Sequence, residues 1–212
     1  MKYLIKSLTA IAAASLLAAC VSCQGGDDSK ASEPTESQAS TEVASDSNDT
    51  QQDWSFATWD DCGPLVDEHP CNFTLSDQHG TDWSLYDQHG KVIVIDFSAM
   101  WCSVCGTIAP KGDEFVSDYG AENFIWVTVL IDNAAGETPT EADLQTWAST
   151  YGITTPVLAG SRAMVGTTAE EGWPIAAWPT LVVIDETMTV KFGIYGWNEA
   201  TMRGVVESTL SD

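Results

Sequence analysis

Positive charge is scarce in this chain. It has 212 residues with eight Lys and Arg against 31 Asp and Glu, a formal net charge of −23. A polymer so acidic repels phosphate backbones and anionic headgroups, so nucleic acid and acidic lipid surfaces are excluded as partners. Histidine is also sparse, with only His69, His79 and His89. His79 and His89 sit in two Asp-Gln-His-Gly segments, which read as exposed turns. No metal site and no cofactor are expected. Long apolar runs are missing too. The longest, residues 8–19, is too short to cross a bilayer as a permanent helix.

That short run has a different meaning. Lys2 and Lys6 precede it, and Leu17-Ala18-Ala19-Cys20 closes it in the manner of a bacterial lipobox. Residues 1–19 are therefore expected to be a leader, and Cys20 the acylated first residue of the mature chain. An ordinary secretory leader with an incidental cysteine is the alternative. Loss of Lys2 and Lys6 leaves six basic side chains against 31 acidic ones, a formal charge of about −25. Multiple acyl chains hold firmly where a single one does not. The expected location is extracytoplasmic, and Val21 in place of an Asp leans towards the outer membrane. Residues 24–52 are nearly all small or polar and cannot offset their ordering entropy. They read as a tether with a reach of roughly 30 Å. Residues 54–212 are long enough for one core-bearing domain.

The chemistry sits at Trp101-Cys102-Ser103-Val104-Cys105. The contiguous apolar run Val92-Ile93-Val94-Ile95 with Asp96 and Phe97 reads as a buried strand leading into it. Residues 103–119 read as a helix, so both thiols lie on its first turn. A helix start favours thiolate, and the spacing lets the two sulfurs close a small ring. Cys102, nearer the helix end, is the expected nucleophile, and Cys105 the thiol that resolves the mixed disulfide. Cys62 and Cys71 flank Gly63-Pro64 and are expected to form a structural disulfide in an oxidising compartment, with a second redox pair as the alternative. Cys23 is left over.

These residues resemble the thioredoxin superfamily. Asp96 stands where that family keeps a buried acid, Trp101 precedes the first cysteine, and Pro110 follows the second. Trp178-Pro179-Thr180-Leu181 looks like the family's cis-proline loop. Phe73-Thr74-Leu75-Ser76-Asp77, with Trp83 and Gly90-Lys91, looks like the lead-in of the membrane-anchored TlpA/ResA branch. The resemblance covers residues 70–210. It implies an α/β fold with a central mixed sheet flanked by helices, an N-terminal β-hairpin, and an insertion between Asp132 and Trp178 before the cis-proline loop. It implies a thiol–disulfide oxidoreductase in which Asp96 accepts the Cys105 proton and Trp101, Trp178 and Pro179 line the substrate groove. Expected partners are envelope proteins bearing disulfides or dithiols, a membrane or periplasmic electron donor, and lipid through Cys20. A monomer is expected. The dipeptide Ser103-Val104 departs from the family's Gly-Pro and Glu-Pro, at a position that helps set redox potential. The resemblance and Asp96 point to a reductant.

Other classes remain. A haem-attachment site would need His where Gly106 stands. A copper relay would add a distant His, but all three histidines precede Cys102; two thiolates alone still suit Cu(I). A peroxidase would place an Arg by its cysteine, and neither Arg162 nor Arg203 is placed in the sequence to suggest it. A non-catalytic binding module is the last alternative. Helix 140–151 opens with a capping-box pattern, residues 156–158 read as a short strand, and 161–168 as a short helix. Residues 181–185 and 190–195 read as a hairpin, and 198–210 as a closing helix.

Overall fold

The computed structural model describes residues 54–211. The Cys20 lipobox, Cys23 and the acidic tether lie outside the described residues. Two short strands, β1 (Thr74–Ser76) and β2 (Asp82–Ser84), pair antiparallel as the N-terminal hairpin. Then follow β3 (Val92–Ala99), α1 (Ser103–Ile108), α2 (Lys111–Tyr119), β4 (Phe124–Asp132), α3 (Glu141–Tyr151) and β5 (Val157–Ala159). Two-residue strands β6 (Val165–Gly166) and β7 (Trp173–Pro174) come next. The chain ends with β8 (Thr180–Ile184), β9 (Val190–Tyr195) and α4 (Glu199–Thr209).

The main sheet has the order β5-β4-β3-β8-β9. Strands β3, β4 and β5 run parallel, whereas β8 and β9 join antiparallel. β3 is central, and all eight of its residues are buried. A strand buried on both faces needs no polar alternation, which is why it opens on the continuous apolar run Val92–Ile95. Ile93, Ile95 and Phe97 pack on one face with Val129 and Val182. Val92 and Val94 pack on the other with Phe115 of α2 and Met202 of α4. Burying each such side chain stabilises the fold by about 1.5–3 kcal/mol relative to exposure.

Two expectations need correction. The single helix over 103–119 is two helices. Pro110 caps α2, and without an N–H it cannot continue the ladder of α1. Residues 161–168 make no α-helix. One tight turn at Arg162–Met164 gives way to extended Val165, which pairs with Trp173. Gly166 and the β-branched Val165, Thr167 and Thr168 disfavour helix there. The capping box is present at α3: the Thr140 side chain accepts from the Asp143 N–H, and the Asp143 carboxylate accepts from the Thr140 N–H.

The first Asp-Gln-His-Gly turn does more than turn. Asp77 Oδ1 accepts from the N–H groups of His79 and Thr81, and Gly80 takes φ +72°. Buried Gln78 then clips this turn to β5. Its Oε1 accepts from Val157 N–H at 2.8 Å, and its Nε2 donates to Thr155 O at 3.2 Å. His79 and His89 are exposed, and His89 stacks on Phe56. Cys62 and Cys71 are joined as a disulfide with Cα atoms 4.9 Å apart.

Candidate active site

The loop leaving β3 places Cys102 at the N-cap of α1 and Cys105 one turn inside. Cys105 is fully buried, whereas Cys102 is partly exposed. The two are disulfide-bonded with Cα atoms 5.3 Å apart. The Cys105 N–H donates to Cys102 Sγ at 3.2 Å. When the bond opens, that donor faces the sulfur that gains charge, and hydrogen bonding to the charged form favours it. Gly106 is required by close approach: a Cβ there would collide with the Tyr151 hydroxyl.

Asp96 lies on the same strand face as Val92 and Val94, the face covered by the helices. It is completely buried, and Ser98 Oγ and Thr128 Oγ1 donate to its two oxygens at 2.7 and 3.3 Å. Burial pushes its pKa up to about 7, against the opposing pull of these two hydroxyls. A carboxyl poised there can take or give a proton near neutral pH.

The Trp178–Pro179 peptide is cis. Trp178 sits in the same packed cluster as Cys102 and Cys105. Trp101 is 49 % exposed and meets the Trp178 ring edge-on at 6.1 Å. Val104, two residues after Cys102, is 47 % exposed. Aromatic and aliphatic side chains thus surround the disulfide, and the cis bond at Pro179 directly follows Trp178 and precedes β8.

Two further residues belong to this site, and the sequence reading missed both. Asp132, at the end of β4, is 1 % exposed. It stands opposite Ala99 in the parallel register and accepts from Trp101 Nε1 at 2.9 Å. Arg162, considered above only as a peroxidase arginine, donates from Nε to Asp132 Oδ1 at 2.7 Å and from Nη2 to Oδ2. Its guanidinium lies 5.5 Å from the Trp178 ring centroid. Nothing in the sequence links positions 30 residues apart; an acid closing the apolar run 124–131 is the available signal.

The model of the AhpC/TSA family matches residues 66–192, more than half the chain. The chain belongs to the AhpC/TSA family. Within it, the segment of this AhpC/TSA chain most like a thioredoxin is short. It is 44% identical over 45 residues to a thioredoxin of Coprinus comatus, and 46% identical over 39 residues to thioredoxin-1 of Schizosaccharomyces pombe. Those matches cover 21% and 18% of this chain and 42% and 38% of the thioredoxins, so the chain spans less than half of their length.

Solved structures extend the likeness to the whole fold. A thioredoxin-family thiol:disulfide interchange protein from Chlorobium tepidum TLS is 22% identical with TM-score 0.55, covering 71% of this chain and 99% of its own. A DsbF homologue from Corynebacterium diphtheriae is 17% identical with TM-score 0.55, covering 69% and 87%. The exposed lipoprotein thioredoxin Etrx1 of Streptococcus pneumoniae is 26% identical with TM-score 0.50, covering 65% and 99%. The fold is thioredoxin-like: a central mixed sheet flanked by helices, as the sequence resemblance implied.

Proposed function

We propose that this protein is a thiol–disulfide oxidoreductase that works outside the cytoplasm, held to a membrane by acylated Cys20, and reduces disulfides of envelope proteins. The observation that carries this reading is the unequal burial of one disulfide. Cys102 is reachable and Cys105 is sealed, with Asp96 buried on the same side of the sheet and Trp178, the residue before cis-Pro179, packed in the same cluster as both cysteines.

The chemistry runs from the dithiol. Cys102 thiolate attacks one sulfur of the substrate disulfide, forming a mixed disulfide and releasing a substrate thiolate. Cys105 then passes its proton towards Asp96 and attacks Cys102 Sγ. The second substrate thiolate leaves, and the Cys102–Cys105 disulfide forms. The backbone at Trp178 and Pro179 offers an edge to an extended substrate strand. A membrane or periplasmic donor of electron pairs restores the dithiol. The lipobox and the likeness to the pneumococcal exposed lipoprotein support the extracytoplasmic location.

Insulin-disulfide reduction by the purified domain, together with the reduction potential of the pair, tests the reading. Turnover that needs Cys102 and a potential near −270 mV supports a reductant, whereas a value near −120 mV would mean an oxidant.

A further inference from the structure

A buried carboxylate holds the indole of the residue before the reactive cysteine, and among the described residues one cation pairs with it. Asp132 lies across from Ala99, three residues before Cys102. Its carboxylate accepts from Trp101, the residue that precedes Cys102, and from two nitrogens of Arg162. Trp101 supplies a neutral donor; Arg162 supplies charge. The other Lys and Arg among the described residues pair elsewhere: Lys91 with Ala121 O, Lys111 with Glu114 and Glu199, Lys191 with Asp185, and Arg203 with Asp118 and Glu199. The Arg162 guanidinium is packed over Trp178, and its pairing with Asp132 raises its pKa further, so it stays charged at every working pH.

A negative charge near a thiol disfavours the thiolate, and the effect is largest where water is excluded. Asp132 without its partner would oppose ionisation of Cys102. We propose that Arg162 is a positioning residue for exchange at Cys102, acting through Asp132: it cancels the buried charge at the start of the cysteine loop and holds that carboxylate on the Trp101 indole. The proposal rests on Cys102 being the attacking thiol. The titratable and charged groups on the elements packed here are Asp96 on β3, Asp132 at the end of β4, Cys105 in α1, Tyr151 of α3 in the cluster with Cys102, and Arg162 from the turn after β5.

The test is alkylation of Cys102 by iodoacetamide across pH 5–10 in a Cys105→Ser background, with no substrate present. Arg162→Gln should move the profile to higher pH by about one unit, about tenfold slower at pH 6, with the same plateau at high pH. Arg162→Lys keeps the charge but gives up the paired donors, and should lie between the parent and Arg162→Gln at pH 6. Asp132→Asn combined with Arg162→Gln should return the profile to that of Asp132→Asn alone. An Arg162→Gln profile that superimposes on the parent, or a double variant that stays shifted, overturns the proposal. If Arg162→Gln does not fold, a tenfold slowing in Arg162→Lys overturns the charge argument in its place. Failure of the exchange reading looks different: in the wild-type dithiol, Cys105 would alkylate before Cys102, and both ideas would fall.

Discussion

Ser98 Oγ donates a 2.7 Å hydrogen bond to Asp96 Oδ1 from two residues further along β3, so both polar side chains share one buried face of a central strand. Neither hydroxyl partner replaces the water that an ionised carboxylate loses on burial. The pKa of Asp96 is therefore raised from 3.8 to about 7, burial outweighing the bonds from Ser98 and Thr128.

This shift makes stability depend on pH with a definite sign. Between about pH 4 and pH 7 the folded protein holds a proton on Asp96 that the unfolded chain has lost, so the Asp96 contribution to stability falls as pH rises through that window. The loss is on the order of 4 kcal/mol once both states are ionised. Asp96→Asn should flatten the curve and be the more stable protein above pH 7. Urea midpoints from pH 4 to pH 9 check this.

The same substitution removes the proton acceptor for Cys105. Asp96→Asn is expected to slow insulin reduction near neutral pH by about tenfold or more and to alter the pH–rate profile. An unchanged profile would leave Asp96 a structural carboxylate.

How much of this was legible depended on whether the signal was local. The Val92-to-Phe97 run reads directly as β3 because both its faces are buried, and Thr140 with Asp143 reads as a helix start because a capping box is contained in four residues. Trp101, Cys102, Cys105 and Pro179 were legible through motif residues. Pro110 is a motif residue that also breaks the helix ladder, so one helical pattern conceals two helices. Gln78, Asp132 and Arg162 were not legible. Each is polar and acts across a long sequence separation, Gln78 on β5 and Arg162 on the end of β4. Periodicity reports burial of apolar faces and is silent about polar clips.

Gln78→Ala should show what such a clip contributes. It leaves Val157 N–H and Thr155 O buried without their side-chain partner, at about 1–3 kcal/mol for each group left unpaired. Chemical denaturation should register the loss. Hydrogen exchange should speed up at Val157 before it does in β3.

The Cys62–Cys71 bridge spans nine positions and closes the segment before the hairpin. Replacing both by Ser should destabilise the domain by roughly 2–3 kcal/mol in the chain-entropy model. Thiol mapping should find the bridge intact when Cys102–Cys105 has been reduced by a mild dithiol. Cys62 free while Cys102 remains oxidised would contradict a structural role.

Cys20→Ala should abolish acylation and leave the protein unprocessed or out of the membrane fraction. Mass spectrometry of the mature N-terminus checks it. An unacylated mature chain beginning at another residue would remove the anchor from the account.

Exchange by this mechanism depends on the division of labour between Cys102 and Cys105, which trapping tests most directly. Cys105→Ser, expressed in its native compartment, should accumulate mixed disulfides with other envelope proteins, and peptide mapping should place every one on Cys102. Cys102→Ser should trap none. Mixed disulfides on Cys105 in the Cys102→Ser protein, with none on Cys102 in its counterpart, would contradict the account.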